Sequence, residues 1–336
     1  ALTISYKKTM KQDAQHLRAA KERLAASRTR AELEAQLRRA EVYAACPEIE
    51  QVDKAVKQLG QGLMLSAISL HGREDKAAFN ARIDAQKASI DALLSDRAEL
   101  LRAAGFPADY LQPRYACSLC KDTGYADGKM CICLKKMLAM QRFEHSGLGA
   151  LIRTQSFESF DLSFYTGAER SRMEQNLEIC HSYAAAFDES TTQGLLLTGP
   201  TGLGKTHLST AIARQVMEKG YDVYYVTATE LFRTFEETRF SREDDTAPNM
   251  RPACCDLLIL DDLGTEPNTQ YSVSCLYELL NARINREKPW IINTNLGADE
   301  LQKKYQDRIV SRLFGSSRAL LFQGRDIRLQ KLQRRT

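Results

Sequence analysis

The sequence predicts an α/β fold: a parallel sheet covered by helices on both faces, preceded by a long helical region. Three observations lead there. From about residue 155, short apolar runs alternate with amphipathic segments, the pattern of a parallel sheet with crossover helices. A glycine-rich loop at 199–206 sits between one such run and one such segment. Residues 1–105 are dominated by Ala, Glu, Arg, Lys, Gln and Leu, all good helix formers.

The 336 residues suffice for two or three domains. With 43% hydrophobic and 27% charged residues, the composition excludes collagen-like and disordered chains. A formal charge of +4 permits a nucleic-acid partner without demanding one. No apolar run reaches membrane-spanning length, and the first residues lack the apolar centre of a signal peptide. A cytoplasmic protein with no membrane partner is expected.

In the helical region, Leu17, Leu24, Leu33 and Leu37 suggest one apolar stripe. Ile49, Val52, Val56, Leu59 and Leu63 form a second, and Ile83, Ile90, Leu94 and Leu101 a third. Breaks are expected at Cys46-Pro47 and around Gly72. The helices would bundle or pair as a coiled coil, either to bind a partner or as a self-contained structural element.

Four of the nine cysteines, Cys117, Cys120, Cys131 and Cys133, fall within seventeen residues. This spacing suits a closed tetrahedral Zn²⁺ site, with Zn–S near ~2.3 Å. Buried free thiols and an iron–sulfur cluster are the alternatives. Gly124 and Gly128 suit a tight turn between the ligand pairs. Lys121, Lys129, Lys135 and Lys136 surround the segment, to touch DNA or to solvate it. Cys46, Cys180, Cys254, Cys255 and Cys275 read as small apolar side chains. A helix and linker over 136–150 follow, closed by Gly147 and Gly149.

Beyond that point the expected strands cover 195–198, 223–227, 257–260 and 290–294. The expected helices cover 206–219, 230–240 and 273–286. The loop Gly199-Pro200-Thr201-Gly202-Leu203-Gly204-Lys205-Thr206 fits the G-x-x-x-x-G-K-[ST] pattern. Its glycines let backbone N–H groups converge on phosphate oxygens, and the next helix adds its N-terminal dipole. Lys205 is expected on the β- and γ-phosphates of ATP and Thr206 on Mg²⁺. His207 is expected to face helix packing.

The strand before Asp261 and Asp262 delivers two acids at its carboxyl end. Asp261 is the candidate Mg²⁺ ligand. Asp262 either activates the attacking water or caps the next turn. Asn293-Thr294-Asn295 ends another apolar strand; a side-chain amide there can bond the γ-phosphate and the attacking water, with Asn295 the better candidate, or Asn295 is a turn residue. Arg308 and Arg312 read as charge-stabilising arginines or as a basic surface helix, and Arg328 lies beyond them.

As an ordered set, GPTGLGKTHL, LLILDDLGTE, IINTNL, DRIVSRLFG and GRDIR resemble AAA+ ATPases over roughly 155–330. More narrowly, they resemble bacterial replicative-helicase loaders of the DnaC and DnaI type and the IstB-type ATPases of transposition. The resemblance implies an AAA+ P-loop sheet and ATP hydrolysis. Lys205 and Thr206 would be Walker A, Asp261 and Asp262 Walker B, and Asn295 sensor 1. Arg312 would be the arginine finger, with Arg308 its rival, and Arg328 sensor 2. Many AAA+ proteins carry Glu where this chain has Asp262, so slow hydrolysis is implied. Phe157 and Phe160 match the segment lying near the adenine. The cysteine segment resembles the zinc segment of DnaI-like loaders, which IstB-type proteins would lack.

The domains implied are a partner-binding helical domain (1–105), a zinc segment and linker (106–150) and the ATPase domain (151–336). The implied partners are a DnaB-type hexameric helicase, single-stranded DNA and further copies of the chain. Tyr271, Tyr277, Phe232, Phe235 and Phe240 are candidates for base stacking. Regulation of transposition is the alternative function.

Overall fold

In the computed structural model the described backbone comprises residues 2–69, 76–143, 149–239 and 251–334. Side chains of 1–13, 63–79, 142–150, 238–250 and 335–336 are not described. Gly72, Gly147, Phe240 and the side chain of Leu63 therefore lie outside the described residues. By its contacts the chain divides into residues 22–123 and a second unit of 1–21 with 124–336.

The front of the chain is helical, as expected: α1 (Leu2–Ala45), α2 (Pro47–Ser69) and α3 (Lys76–Ala103). Proline suits the first turn of α2, where its missing N–H would have no partner. The buried face of α1 is Ala20, Leu24, Ala31, Ala35 and Val42, whereas Leu33 and Leu37 are 54% and 64% exposed. The expected stripe therefore holds at Leu17 and Leu24 and is corrected at Leu33 and Leu37, where Ala31 and Ala35 carry the packed face, because alanine lets neighbouring chain approach closely. The second and third stripes hold, with their described members at least half-buried. Val42, Ile49, Leu101 and Leu111 form the core of the unit spanning 22–123. Arg97 and Tyr43 both bond Asp53, at 2.9 and 2.6 Å.

Next come a two-residue hairpin, β1 (Tyr125–Ala126) with β2 (Lys129–Met130), and the helix α4 (Ile132–Phe143). Asp127 and Gly128 take left-handed φ of 50° and 72° between the two strands, as a tight hairpin turn requires. The helix begins four residues earlier than expected, so Cys133 lies on its first turn.

The remainder alternates strand and helix: α5 (Gly149–Thr154), α6 (Gly167–Ala186), β3 (Gly194–Thr198), α7 (Lys205–Glu218), β4 (Val223–Thr227) and α8 (Ala228–Arg239). Then follow α9 (Arg251–Cys254), β5 (Leu257–Leu263), α10 (Gln270–Asn285), β6 (Trp290–Thr294), α11 (Ala298–Lys304), α12 (Gln306–Gly315), β7 (Ser317–Leu321) and α13 (Ile327–Gln333). The strands pair in parallel in the order β4-β5-β6-β3-β7. The first strand of the sheet is thus interior, and its carboxyl end lies where the strand order reverses, the place where such sheets bind ligands.

Alternation along the strands divides the core. Leu195, Leu197, Ile259 and Ile291 pack on one face, and Leu196, Leu258, Leu260 and Ile292 on the other. Both faces are dry, which explains why these strands read as continuous apolar runs. Phe232 and Phe235 are buried in the second cluster and meet edge to face at 6.2 Å, so they are core residues and not base-stacking platforms. Cys180 and Cys255 are buried as expected, but Cys254 is exposed. Among the described residues, no helix is long and apolar enough to cross a membrane.

Candidate functional site

The loop from Gly199 to Gly204 joins β3 to α7 at the carboxyl edge of the sheet. Two of its glycines are required by what lies against them. A Cβ on Gly199 would run into the carbonyl of Phe322, and one on Gly202 into the carboxylate of Asp326. Both also have left-handed φ, 135° and 75°. The segment after β7 thus braces the loop, with the Ile327 N–H donating to the Gly202 carbonyl at 3.0 Å.

Lys205 opens α7 and is 6% exposed. Its ammonium donates to the carbonyls of Gly199 and Pro200 at 2.6 and 2.7 Å, and to Asn295 Oδ1 at 2.8 Å. Burial pulls its pKa down to about 8, against the opposing pull of Asp262 and Asp261. All three N–H groups are engaged, so a phosphate would have to displace one acceptor.

Asp261 is buried and gathers donors. Asn293 Nδ2 approaches at 2.8 Å, Thr206 Oγ1 at 3.1 Å and the Asp262 N–H at 3.0 Å, and the Tyr225 hydroxyl also donates to it. Between Leu260 and Leu263 the pairing of β5 with β6 slips. Asp262 takes a left-handed φ of 55° there, which turns the two adjacent acids different ways. Asp262 lines the cleft, and burial and the neighbouring Asp261 raise its pKa. The following turn is closed by the carbonyl of Asp262, which accepts from Thr265 N at 3.2 Å and Oγ1 at 2.9 Å.

These groups edge a cleft of about 400 Å³. Its wall includes the loop from Thr201 to Thr206, with Asp262, Asn295 and Arg328. Asp261 lies just behind that wall, against Thr206. Phe160 lines it too and rests on Gly204, whereas Phe157 packs on His181. His207 corrects its expected place: it lines the cleft, with its ring edge on Phe160 at 5.2 Å and Nε2 2.8 Å from the Ser156 carbonyl. Burial lowers its pKa and favours the neutral ring.

Arg312 is not among the residues lining this cleft. It stacks on Tyr277, with its guanidinium carbon 4.5 Å from the ring centroid, and its Nε donates to Asn281 at 2.5 Å. Arg308 is on the same helix, and its carbonyl accepts from Arg312 at 2.8 Å. Tyr271 donates to the Phe235 carbonyl.

Sequence reasoning missed Tyr225 and ranked Asn293 below Asn295. Tyr225 was hidden in an apolar strand; its signal is that β4 pairs with β5, bringing Thr227 level with Asp261. Asn293, two residues before Asn295, is fully buried behind the cleft and bonds Asp261 and Ser209, while Asn295 faces Lys205. Alternation along the strand end was the available signal.

The ligand atoms of Cys117, Cys120, Cys131 and Cys133 lie within 4.8 Å of one another, close enough to hold one metal ion. Backbone bonds shape the turn: Lys121 N–H to the Cys117 carbonyl at 2.9 Å, and Cys131 N–H to the Gly124 carbonyl at 2.9 Å. Gly124, expected in a tight turn, takes a left-handed φ of 80°.

The sequence model of the IstB-like ATP binding protein family matches residues 135–334, more than half of the chain. Among curated proteins, the Replicative helicase loader DnaC of Escherichia coli K12 is 24% identical over 190 residues, 56% of this chain and 75% of that one. A putative insertion sequence ATP-binding protein of Sinorhizobium fredii is 34% identical over 125 residues, 37% of this chain and 41% of the relative. Among solved structures, the DnaC helicase loader aligns with a TM-score of 0.43 at 22% identity, covering 50% of this chain and 98% of that one.

Proposed function

The chain belongs to the IstB-like ATP-binding protein family, within the AAA+ group that holds DnaC- and DnaI-type helicase loaders, and from that premise we propose an ATP hydrolase that places a DnaB-type hexameric helicase on single-stranded DNA. The observation that carries the ATPase reading is the meeting of two bonded pairs at the start of α7, Lys205 with Asn295 and Thr206 with Asp261. The backbone of 199–206 and Lys205 would hold the phosphates, and Thr206 and Asp261 would hold Mg²⁺. The ion would supply charge neutralisation between the β- and γ-phosphates. Asp262, its pKa raised, accepts the proton of the water that attacks the γ-phosphorus as the bond to ADP breaks. Asn295 orients that water and Arg328 stabilises the γ-phosphate. Arg312, turned to Tyr277 and away from the cleft of its own chain, serves a neighbouring copy.

The cysteine cluster and the helical front region support the loader reading over transposition, since a client helicase needs a grip outside the ATPase. The proposed division of labour is helicase binding by 1–105, a zinc segment within 106–150 and nucleotide sensing by 151–336. The named insertion-sequence relative favours the transposition reading instead.

The test is capture of the host's replicative helicase by the whole chain, with and without ATP. No binding in either state would sink the loader reading, and a transposase captured in its place would establish the other. Protein denatured in a chromogenic chelator should release about one zinc per chain, lost in Cys117→Ser and Cys131→Ser.

A further inference from the structure

Arg308 and Arg312 stand one turn apart on α12, yet their surroundings differ. Arg308 is exposed and lines a hollow of about 320 Å³. Arg312 is half-buried and held from α10. Its Nε donates to Asn281 Oδ1 at 2.5 Å and its Nη2 to the Tyr277 hydroxyl at 3.1 Å, while its guanidinium carbon lies 4.5 Å from the centre of the Tyr277 ring. Nη1 donates back to the Arg308 carbonyl at 2.8 Å. Tyr277 and Asn281 are four residues apart on α10, so they share one face of it. They also bond each other: a hydrogen bond from Asn281, then the charges of Arg312 and Arg308, lower the pKa of Tyr277.

Such a clamp fixes a long side chain that would otherwise sample many rotamers, so its ordering is complete before another molecule arrives. It also decides which N–H groups remain to be offered. Each terminal nitrogen of a guanidinium carries two. Nη1 and Nη2 each meet one acceptor, so one N–H on each is left over among the described residues. N–H groups on the two terminal nitrogens suit a pair of phosphate oxygens. A latch that withheld the arginine would occupy them instead.

We infer that Tyr277 and Asn281 are positioning residues for a trans-acting arginine: they hold Arg312 with its terminal N–H groups ready for the γ-phosphate bound by a neighbouring copy. The inference rests on the role proposed for Arg312 above. Because the clamp acts through Arg312, its loss is felt in the neighbour's site and not in its own.

The experiment is complementation between two variants of the full chain, read as phosphate release from ATP with Mg²⁺. Asp262→Asn keeps Arg312 but cannot activate water, and Arg312→Ala keeps its own site but offers no arginine. Each alone should release little phosphate, and their mixture should turn over. Tyr277→Leu added to the Asp262→Asn chain should lower the mixture's turnover about tenfold or more, and Tyr277→Phe, which keeps the ring, by less. Asn281→Ala, which spares the packed ring, should show the same loss from that chain. The same substitutions added to the Arg312→Ala chain should leave the mixture unchanged, because no arginine remains there to hold. Undiminished turnover with Tyr277→Leu and with Asn281→Ala in the arginine-supplying chain, or an equal loss from either chain, overturns the clamp while leaving the role of Arg312 intact. Failure of the two starting variants to complement overturns the trans role of Arg312, and the clamp with it.

Discussion

Asp122, in the unit spanning 22–123, and Asp261, in the sheet unit, are buried to almost the same degree, at 1% and 4% exposure. Both are crowded by donors. Asp122 accepts from the Cys117 and Ala116 N–H groups at 2.7 and 3.1 Å and from the Ser27 hydroxyl at 2.9 Å. Burial alone would raise its pKa, but these three bonds outweigh it and hold the carboxyl below its ordinary value. Two of those donors are backbone, fixed by the turn they close. Two donors of Asp261, Thr206 and the Asp262 N–H, belong to residues that line a cleft, and the Thr206 hydroxyl is free to turn toward an incoming ion. Burial and saturation with hydrogen bonds therefore do not distinguish a turn-holding acid from a candidate metal ligand. Access to a cleft through a donor that can move does.

Substitutions can break or sharpen this contrast. The largest effect should come from Lys205→Ala, which removes the buried ammonium beside the loop. Phosphate release should fall about a hundredfold or more, measured against an unchanged melting temperature. Next, the two aspartates should separate in opposite senses. Asp122→Ala leaves the Ala116 and Cys117 N–H groups and the Ser27 hydroxyl without their acceptor and should cost about 1–3 kcal/mol by urea unfolding, with turnover per folded chain retained. Asp261→Asn should lose turnover with much less effect on unfolding.

A smaller effect concerns protons. Burial pulls the pKa of Lys205 to about 8, from an ordinary 10.5. Between these values the unfolded chain binds a proton that the folded one has shed, so this group's contribution to stability rises with pH across that window. Phosphates would draw the proton back. ADP binding in magnesium-free buffer at pH 8 should take up about half a proton, read from calorimetry in buffers of different ionisation heat. The smallest effect belongs to Leu33→Ser and Leu37→Ser. Both side chains are exposed, so stability should move by about 0.5 kcal/mol or less.

The same contrast explains what could be read in advance. The strands were legible because the parallel sheet is dry on both faces, so 223–227 and 290–294 stood out as unbroken apolar runs with their observed bounds. Lys205, Thr206, Asp262, Asn295 and Arg328 follow from fixed offsets after such strands or from local motifs, and the cleft gathers them. Tyr225 was not legible, and nor was the bond of Asn293 to Asp261, because both arise from pairing between strands distant in sequence. The second half of the α1 face was misread for another reason: leucine is the stronger apolar signal, but close packing selected Ala31 and Ala35 over Leu33 and Leu37. The strand β7 was also missed. Its sequence, SRALL, alternates too weakly to announce it.

That missed strand also governs when the phosphate loop can take shape. The strand β3 lies between β6 and β7, both encoded far downstream of the loop. Gly199 and Gly202 are fitted against Phe322 and Asp326, farther still along the chain. Synthesis proceeds from the N-terminus, and contacts so distant in sequence form late. A nascent chain that already displays α1, α2 and α3 would still lack the bracing of its nucleotide loop. The cysteine turn and the helices can mature on the ribosome, while competence to bind nucleotide waits for residues past 326. A chain interrupted before that point would keep its front helices but lack a finished loop.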